Sequence, residues 1–301
     1  MRKHFIEIIN EYPIQEIIQI EALDKGNTSE ANIVISTEGK YILRKLKSNQ
    51  QARTEYFISN ILSDAHVSPK VLLTKKNKSF VEKNGGIYNL QQYINNKSVL
   101  NKNIHFQNLG KAIALFHHKM NTVNEIEEQE DRFSLEQLWG KVMEQPHLYR
   151  LIKLHGVTQL VHQILNYQHK DNCYIHADLG KWNLLFNEDD VYIIDFGEAR
   201  RGNYHFDVAA VIASTIDLNQ TSESILKNLV QLEKGYVENH NKINWTSVIE
   251  NLYLWNIRGM LAFLCFQGKN NQQNSLIIKQ VLDRNERLTS LIERFFIKDE
   301  D

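Results

Sequence analysis

The first ninety residues alternate in short β-prone runs. "ANIVIST" and "YILRKL" flank a short turn, Glu38-Gly39-Lys40, and predict a hairpin. A further strand is expected near Ile18–Leu23, ahead of that hairpin, and one helical pattern follows it from about Asn49 to His66. After Pro69, "KVLLTKKNKSFVEKNGGIYNLQQYI" holds three apolar runs divided by Lys/Asn and Gly-Gly turns. These runs predict a small antiparallel sheet with one helix laid on it. The leading "MRKHFIEIINEYP" reads as a short amphipathic helix broken by Glu7 and Glu11.

Beyond "INNKSV" the period changes. "FQNLGKAIALFHHKM" puts Phe106, Leu109, Ala112, Ile113 and Phe116 on one face at 3.6-residue spacing. "NWTSVIENLYLWNIRGMLAFLCF" and "NSLIIKQVLDRNERLTSLIERFF" predict two long amphipathic helices. One segment interrupts the helices, "YIHADLGKWNLLFNEDDVYIIDFGEAR" from Tyr174 to Arg200, and reads as two strands around the polar turn "NEDD". The expected class is α+β. A sheet-rich N-lobe spans 1–94, a mainly helical C-lobe spans 95–301, and the connector lies near Tyr93–Val99.

Composition narrows the classes of function. The 301 residues are 42% hydrophobic and 24% charged, and the formal net charge is −1. Such a balance gives no global reason to expect nucleic acid or an anionic membrane as partner. No run approaches the ~18–20 apolar residues that span a bilayer, and the N-terminus lacks the apolar core of a signal peptide. Cys173 and Cys265 sit far apart in apolar contexts, which suits buried free thiols in a reducing compartment. The expected location is cytoplasmic. The pattern leaves oligomeric state open.

The interrupting segment carries the chemistry. Pairing outward from its turn sets Phe186 opposite Val191 and Leu184 opposite Ile193, so Asn183 falls beside Ile194 with Asp195 next. An amide oxygen and a carboxylate brought to one end of a hairpin form a hard-oxygen pair suited to Mg²⁺. Asp178 lies in the loop entering the hairpin, where a carboxylate can orient or deprotonate a nucleophile. His176 is placed to hold that loop. Base, amide ligand and carboxylate ligand are the parts that phosphoryl transfer uses.

"HADLGKWN" followed by "IDFG" resembles the catalytic and metal-binding segments of protein-kinase-like enzymes. Its His-x-Asp form resembles the aminoglycoside phosphotransferase and choline kinase superfamily of small-molecule kinases. That resemblance implies the bilobal protein-kinase-like fold, with ATP or GTP as co-substrate and Mg²⁺ on Asn183 and Asp195. It makes Asp178 the catalytic base and Asp207, in "FDVA", a brace for its loop. Arg44 stands where the family carries a phosphate-binding lysine, while the adjacent Lys45 should face the other side of the strand. Glu55 matches the partner of that cation and shares a helical face with Ile58 and Leu62. "DKGNTSEAN" takes the place of the phosphate-covering loop. It offers backbone amides with Gly26, Thr28 and Ser29, but only a single glycine. Gln92, Tyr93 and Ile94 fall at the hinge that meets the adenine.

A small-molecule acceptor fits better than a protein. The chain has no Ala-Pro-Glu, no proline after Pro146, and only twelve residues from Asp195 to Asp207 for an activation loop. By the resemblance, Trp182 and Arg258 fall near the acceptor pocket; a core role is the alternative for the aromatic residues. The acidic run Asn124–Asp131 would suit a cationic substrate, or be a solvated loop. His117 and His118 read as helix surface or core. Two other classes remain compatible: an inactive nucleotide-binding relative with a scaffold or spore-coat-type role, and a metal-dependent hydrolase built on His176, Asp178, Asp195 and His205.

Overall fold

Strict alternation along two central strands decides how the sheet is used. In a computed structural model, residues 2–23, 30–96, 104–123, 126–127, 130–167, 173–240, 242–268 and 270–297 are described. Five antiparallel strands form one sheet: β1 (Ile17–Ala22), β2 (Ala31–Ser36), β3 (Gly39–Leu46), β4 (Val81–Lys83) and β5 (Gly86–Gln92). Their order across the sheet is β1-β2-β3-β5-β4. Leu43 of β3 and Tyr88 and Leu90 of β5 join Val34 of β2 in an apolar cluster with Ile8, Ile9 and Tyr12. Ile8 and Ile9 end α1 (Arg2–Ile9), so this helix covers one face of the sheet. Arg44, Asn89 and Gln91 alternate with those apolar residues and therefore point to the other face. There they reach Glu55 on α2 (Asn49–Ser63).

The first of the three apolar runs after Pro69 differs from expectation. It forms no strand among the described residues and contributes one bridge, Val71 to Gln91. The helix expected to reach His66 ends at Ser63, where Asp64 caps it and His66 adopts a left-handed φ of 56°. Its start is set by Ser48, whose side chain accepts from the Gln51 amide at 3.1 Å.

The remaining elements are α3 (Phe106–Met120), α4 (Leu135–Met143), α5 (Pro146–Leu154), α6 (Val157–Leu165), β6 (Cys173–Ile175), β7 (Leu184–Asn187), β8 (Asp190–Ile193), β9 (Arg200–Gly202), α7 (Tyr204–Thr215), α8 (Ser222–Val237), α9 (Trp245–Gln267) and α10 (Asn271–Ile292). β7 and β8 pair Leu184 with Ile193 and Phe186 with Val191, the register expected from the sequence. The turn is tighter than the four residues anticipated: Asn187 pairs with Asp190, leaving only Glu188 and Asp189, and Glu188 takes a φ of 55°. A second pair, β6 with β9, was not foreseen and joins Ile175 to Arg200. No described helix is long and apolar enough to cross a membrane.

By internal contacts the chain sorts into two units. One comprises Met1–Leu100, Thr122–Glu127 and Trp182–Ala199, so the β7–β8 hairpin groups with the sheet. The other comprises Asn101–Asn121, Glu128–Lys181 and Arg200–Asp301. Its core runs through α4, α5, α6, α9 and α10 around Trp139, Ile152, Val161, Leu261 and Ile278.

Candidate active site

In the sheet unit, one arginine holds two carboxylates. Arg44 Nη1 donates to Glu55 Oε2 at 3.1 Å, and Arg44 Nη2 meets Asp195 Oδ1 at 3.0 Å. Arg44 is 7% exposed and Glu55 1%, whereas the Asp195 side chain keeps 35% of its surface open. Burial pulls the Arg44 guanidinium down, but the Glu55 and Asp195 charges outweigh it and hold it above the ordinary arginine value. Burial pushes Glu55 up; the Arg44 charge opposes that rise, and Asp195 adds to it. Gln51 Nε2 donates to Glu55 Oε1 at 2.9 Å, with Asn89 and Gln91 amides 3.4 Å from Oε2. A buried carboxylate is tolerated here because four donors surround it. Lys45 points away, exposed, and pairs with Glu30 at 3.2 Å.

The hairpin supplies the rest of this unit's site. The Ile194 amide donates to the Asn183 carbonyl at 3.0 Å, which fixes Asn183 next to the Ile194–Asp195 segment. The Ile193 amide donates to the Val67 carbonyl at 2.7 Å, and the Phe186 amide to Asn96 Oδ1 at 3.1 Å. Asp195 has a φ of 66°, a left-handed conformation that Asp tolerates better than most residues. An amide oxygen and a half-exposed carboxylate are the hard donors Mg²⁺ takes, so Asn183 and Asp195 fit such an ion. In the segment expected to form the hinge, the Gln92 amide is spent on the Lys70 carbonyl (2.9 Å) and the Tyr93 amide on the Lys40 carbonyl (3.2 Å). Gly26, Thr28 and Ser29 lie outside the described residues.

In the helical unit, Asp207 organises the loop that carries Asp178. Asp207 is fully buried on the first turn of α7. Its Oδ2 accepts from the His176 amide at 2.7 Å and its Oδ1 from the Ala177 amide at 2.9 Å. Ala177 is held at a φ of 65°, a conformation Ala adopts only at a cost of about 1 kcal/mol or more. His176 Nδ1 in turn lies 3.3 Å from the Asp178 amide. His117, expected only as surface or core, is fully buried and joins Asp207 Oδ2 (3.2 Å) to the Tyr236 hydroxyl (2.8 Å). Its partners lie 90 and 119 residues away, so no local spacing announced this role.

The same unit contains a cavity of about 220 Å³ walled by Ile175, Arg200, Phe206 and Arg258, with Asp131 and Tyr167. Asp131, the last residue of the acidic run, is bracketed: Arg200 Nη2 lies 2.6 Å from Oδ2 and Arg258 Nη2 3.4 Å from Oδ1. Earlier in that run Glu127 pairs with Arg53 at 3.6 Å, while 124, 125, 128 and 129 lie outside the described residues. Trp182 is 61% exposed beside Asn183. For the hydrolase alternative, His205 is spent within the fold: Nδ1 meets Asn203 Oδ1 at 2.9 Å, and Nε2 accepts from the Asn244 amide at 3.1 Å. Among the described residues no three His, Cys, Asp or Glu side chains gather as a metal site.

Residues 19–235 match the profile of APH, the phosphotransferase enzyme family. The chain belongs to this family. No curated protein matches it by sequence. Among solved structures, this phosphotransferase-family chain is similar to amicoumacin kinase hAmiN in complex with AMP-PNP, Ca²⁺ and Ami. The TM-score is 0.72 and the identity 14%, over 95% of this chain and 93% of that one. It is similar to AMP-bound spectinomycin phosphotransferase APH(9)-Ia, with a TM-score of 0.69 and 15% identity over 94% and 95% of the two chains. Choline kinase LicA from Streptococcus pneumoniae gives 0.62 and 15% over 90% and 94%. The antiparallel sheet unit and mainly helical unit are those of the protein-kinase-like fold.

Proposed function

We propose that the protein transfers the γ-phosphoryl group of ATP to a hydroxyl of a small molecule. The observation that carries this reading is the Glu55–Arg44–Asp195 ion triad. A cation buried at a desolvation cost, yet aimed at one half-open carboxylate, is poised to serve phosphate as well as to hold the sheet to α2. Arg44 would clamp the α- and β-phosphates, kept straight by Glu55 and the Gln51, Asn89 and Gln91 amides. With Gln92 and Tyr93 amides engaged, Ile94 is the hinge residue whose backbone would meet the base edge. Asn183 and Asp195 would hold Mg²⁺, which supplies charge neutralisation between the phosphate oxygens. Asp178 orients the acceptor hydroxyl and receives its proton. The new O–P bond forms as the bond from phosphorus to the β–γ bridging oxygen breaks, and ADP leaves.

The test combines binding and turnover. Asp178→Ala is expected to lower product formation by about 10²–10⁴-fold, the usual worth of a general base, while Mg·ATP still stabilises the protein. Asp195→Ala is expected to lose the Mg²⁺-dependent part of that stabilisation. Wild-type protein that neither turns over any acceptor nor gains thermal stability from Mg·ATP or Mg·GTP would sink the reading.

A further inference from the structure

The cavity in the helical unit is walled by cations, and its one deep acid is already taken. Arg200, Arg201 and Arg258 line it, against Asp131 and the exposed Glu136. Asp131 is gripped from both sides by Arg200 and Arg258, and Arg258 Nε also donates to the Phe133 carbonyl at 2.8 Å. The Arg200 and Arg258 guanidinium carbons lie 6.0 and 5.3 Å from the centre of the Phe206 ring, so the two cations flank one aromatic surface. An ammonium group entering this space would meet a wall in which three guanidiniums outnumber two carboxylates. A carboxylate would meet the same net positive wall with favourable sign.

The cavity also stands close to Asp178. Arg200 is the cross-strand partner of Ile175, a separation of about 5 Å between Cα atoms in such a ladder. Ile175 precedes Asp178 by three residues, which a fully extended chain covers in roughly 10 Å. These two steps keep the Arg200 and Asp178 backbones within roughly 15 Å of each other inside one unit.

We propose that this cavity is the acceptor pocket, and that it selects an acceptor carrying both a hydroxyl and a carboxylate over amine-only or polyammonium alcohols. The proposal rests on the phosphotransferase reading and narrows its acceptor. The hydroxyl attacks the γ-phosphorus and yields a phosphate ester, ADP and a proton on Asp178. The carboxylate stays on the arginines and takes no part in bond making.

Matched pairs test it. L-Homoserine and 3-amino-1-propanol differ only by the carboxylate, as do L-serine and ethanolamine, and kanamycin serves as the polyammonium probe. With Mg·ATP, product mass is expected to show a kcat/KM for the acids at least about tenfold above their decarboxylated counterparts. Arg200→Gln is expected to raise KM for the acids by about tenfold and to narrow or reverse their lead over the amino alcohols, because Asp131 loses one of its two cations. Where no probe is turned over, thermal stabilisation of the Mg·ADP-bound protein by the same pairs is the readout. A preference for the amines or kanamycin, or no difference within the pairs, overturns the carboxylate assignment. Loss of the Mg·ATP response itself is a separate outcome, and it overturns the phosphotransferase reading instead.

Discussion

At the scale of single residues, Arg44 shows why a lysine would not do the same work. Its two Nη atoms reach Glu55 and Asp195 separately, at 3.1 and 3.0 Å, which a single ammonium on a flexible stem matches poorly. Arg44→Lys is expected to lose one charge-assisted bond, about 2 kcal/mol by urea unfolding, and to raise KM for ATP. Arg44→Met leaves Glu55 buried without its cation and is expected to cost about 3–5 kcal/mol. Of the candidate site residues, Asn183 and Asp195 could be brought together from the spacing within one hairpin, whereas Arg44, Glu55 and the role of Asp178 came from the family resemblance. The polar cradle of Gln51, Asn89 and Gln91 was half readable: Gln51 is one helical turn before Glu55, and Asn89 and Gln91 share a strand face. The Asp131–Arg258 contact joins residues 127 apart and left no local trace. Only the fold brings such pairs together.

Among the elements, α3 and α8 pack most intimately because each contributes a glycine to the crossing. A Cβ at Gly110 would run into the Leu232 carbonyl, and one at Gly235 into the Gln107 carbonyl, both rigid backbone atoms. Gly110→Ala or Gly235→Ala is expected to force the helices apart and cost about 1–3 kcal/mol, read as a lower urea midpoint at unchanged slope. Gly259, at an exposed position of α9, makes the opposite case: a Cβ there meets nothing within 4 Å. Gly259→Ala is expected to stabilise by about 0.5–1 kcal/mol, because the helix gains propensity without a clash. The same contrast limits what the sequence could say about the fold. Periods of 2 and 3.6 located the strands and helices, and the apolar match across the turn set the β7–β8 register. A pairing between distant short segments, such as β6 with β9, has only three residues in each strand, too few for a period to show. Helix crossings are likewise invisible until the partner is known.

For the whole molecule, two titrating groups, the half-buried His240 and the buried Glu55, set opposite responses of stability to pH. His240 is pulled down from 6.5 to about 4, by burial first and then by the neighbouring His117 and His118. Its Nε2 lies 3.3 Å from the Asn121 amide nitrogen, and a neutral ring is needed there to accept that proton. Between pH 6.5 and 4 the unfolded chain therefore binds a proton that the folded chain refuses. This contribution is complete above pH 6.5 and is lost as the pH falls toward 4. Glu55 acts in reverse. Its raised pKa lets the folded state keep a proton that the unfolded chain has released, so its contribution is present below pH 4.5 and is lost as the pH rises through the folded value. The two groups lie in different units, which makes them separable. Trp139, Trp245 and Trp255, three of the four tryptophans, belong to the helical unit with His240, so tryptophan fluorescence reports chiefly on that unit. Urea unfolding followed this way should show wild-type stability dropping from pH 6.5 to 4. His240→Gln keeps an acceptor for Asn121 but cannot titrate, and its curve should be flatter over that window and unchanged above pH 7. An identical slope in the variant would assign the acid loss to other groups and leave His240 without a part in it.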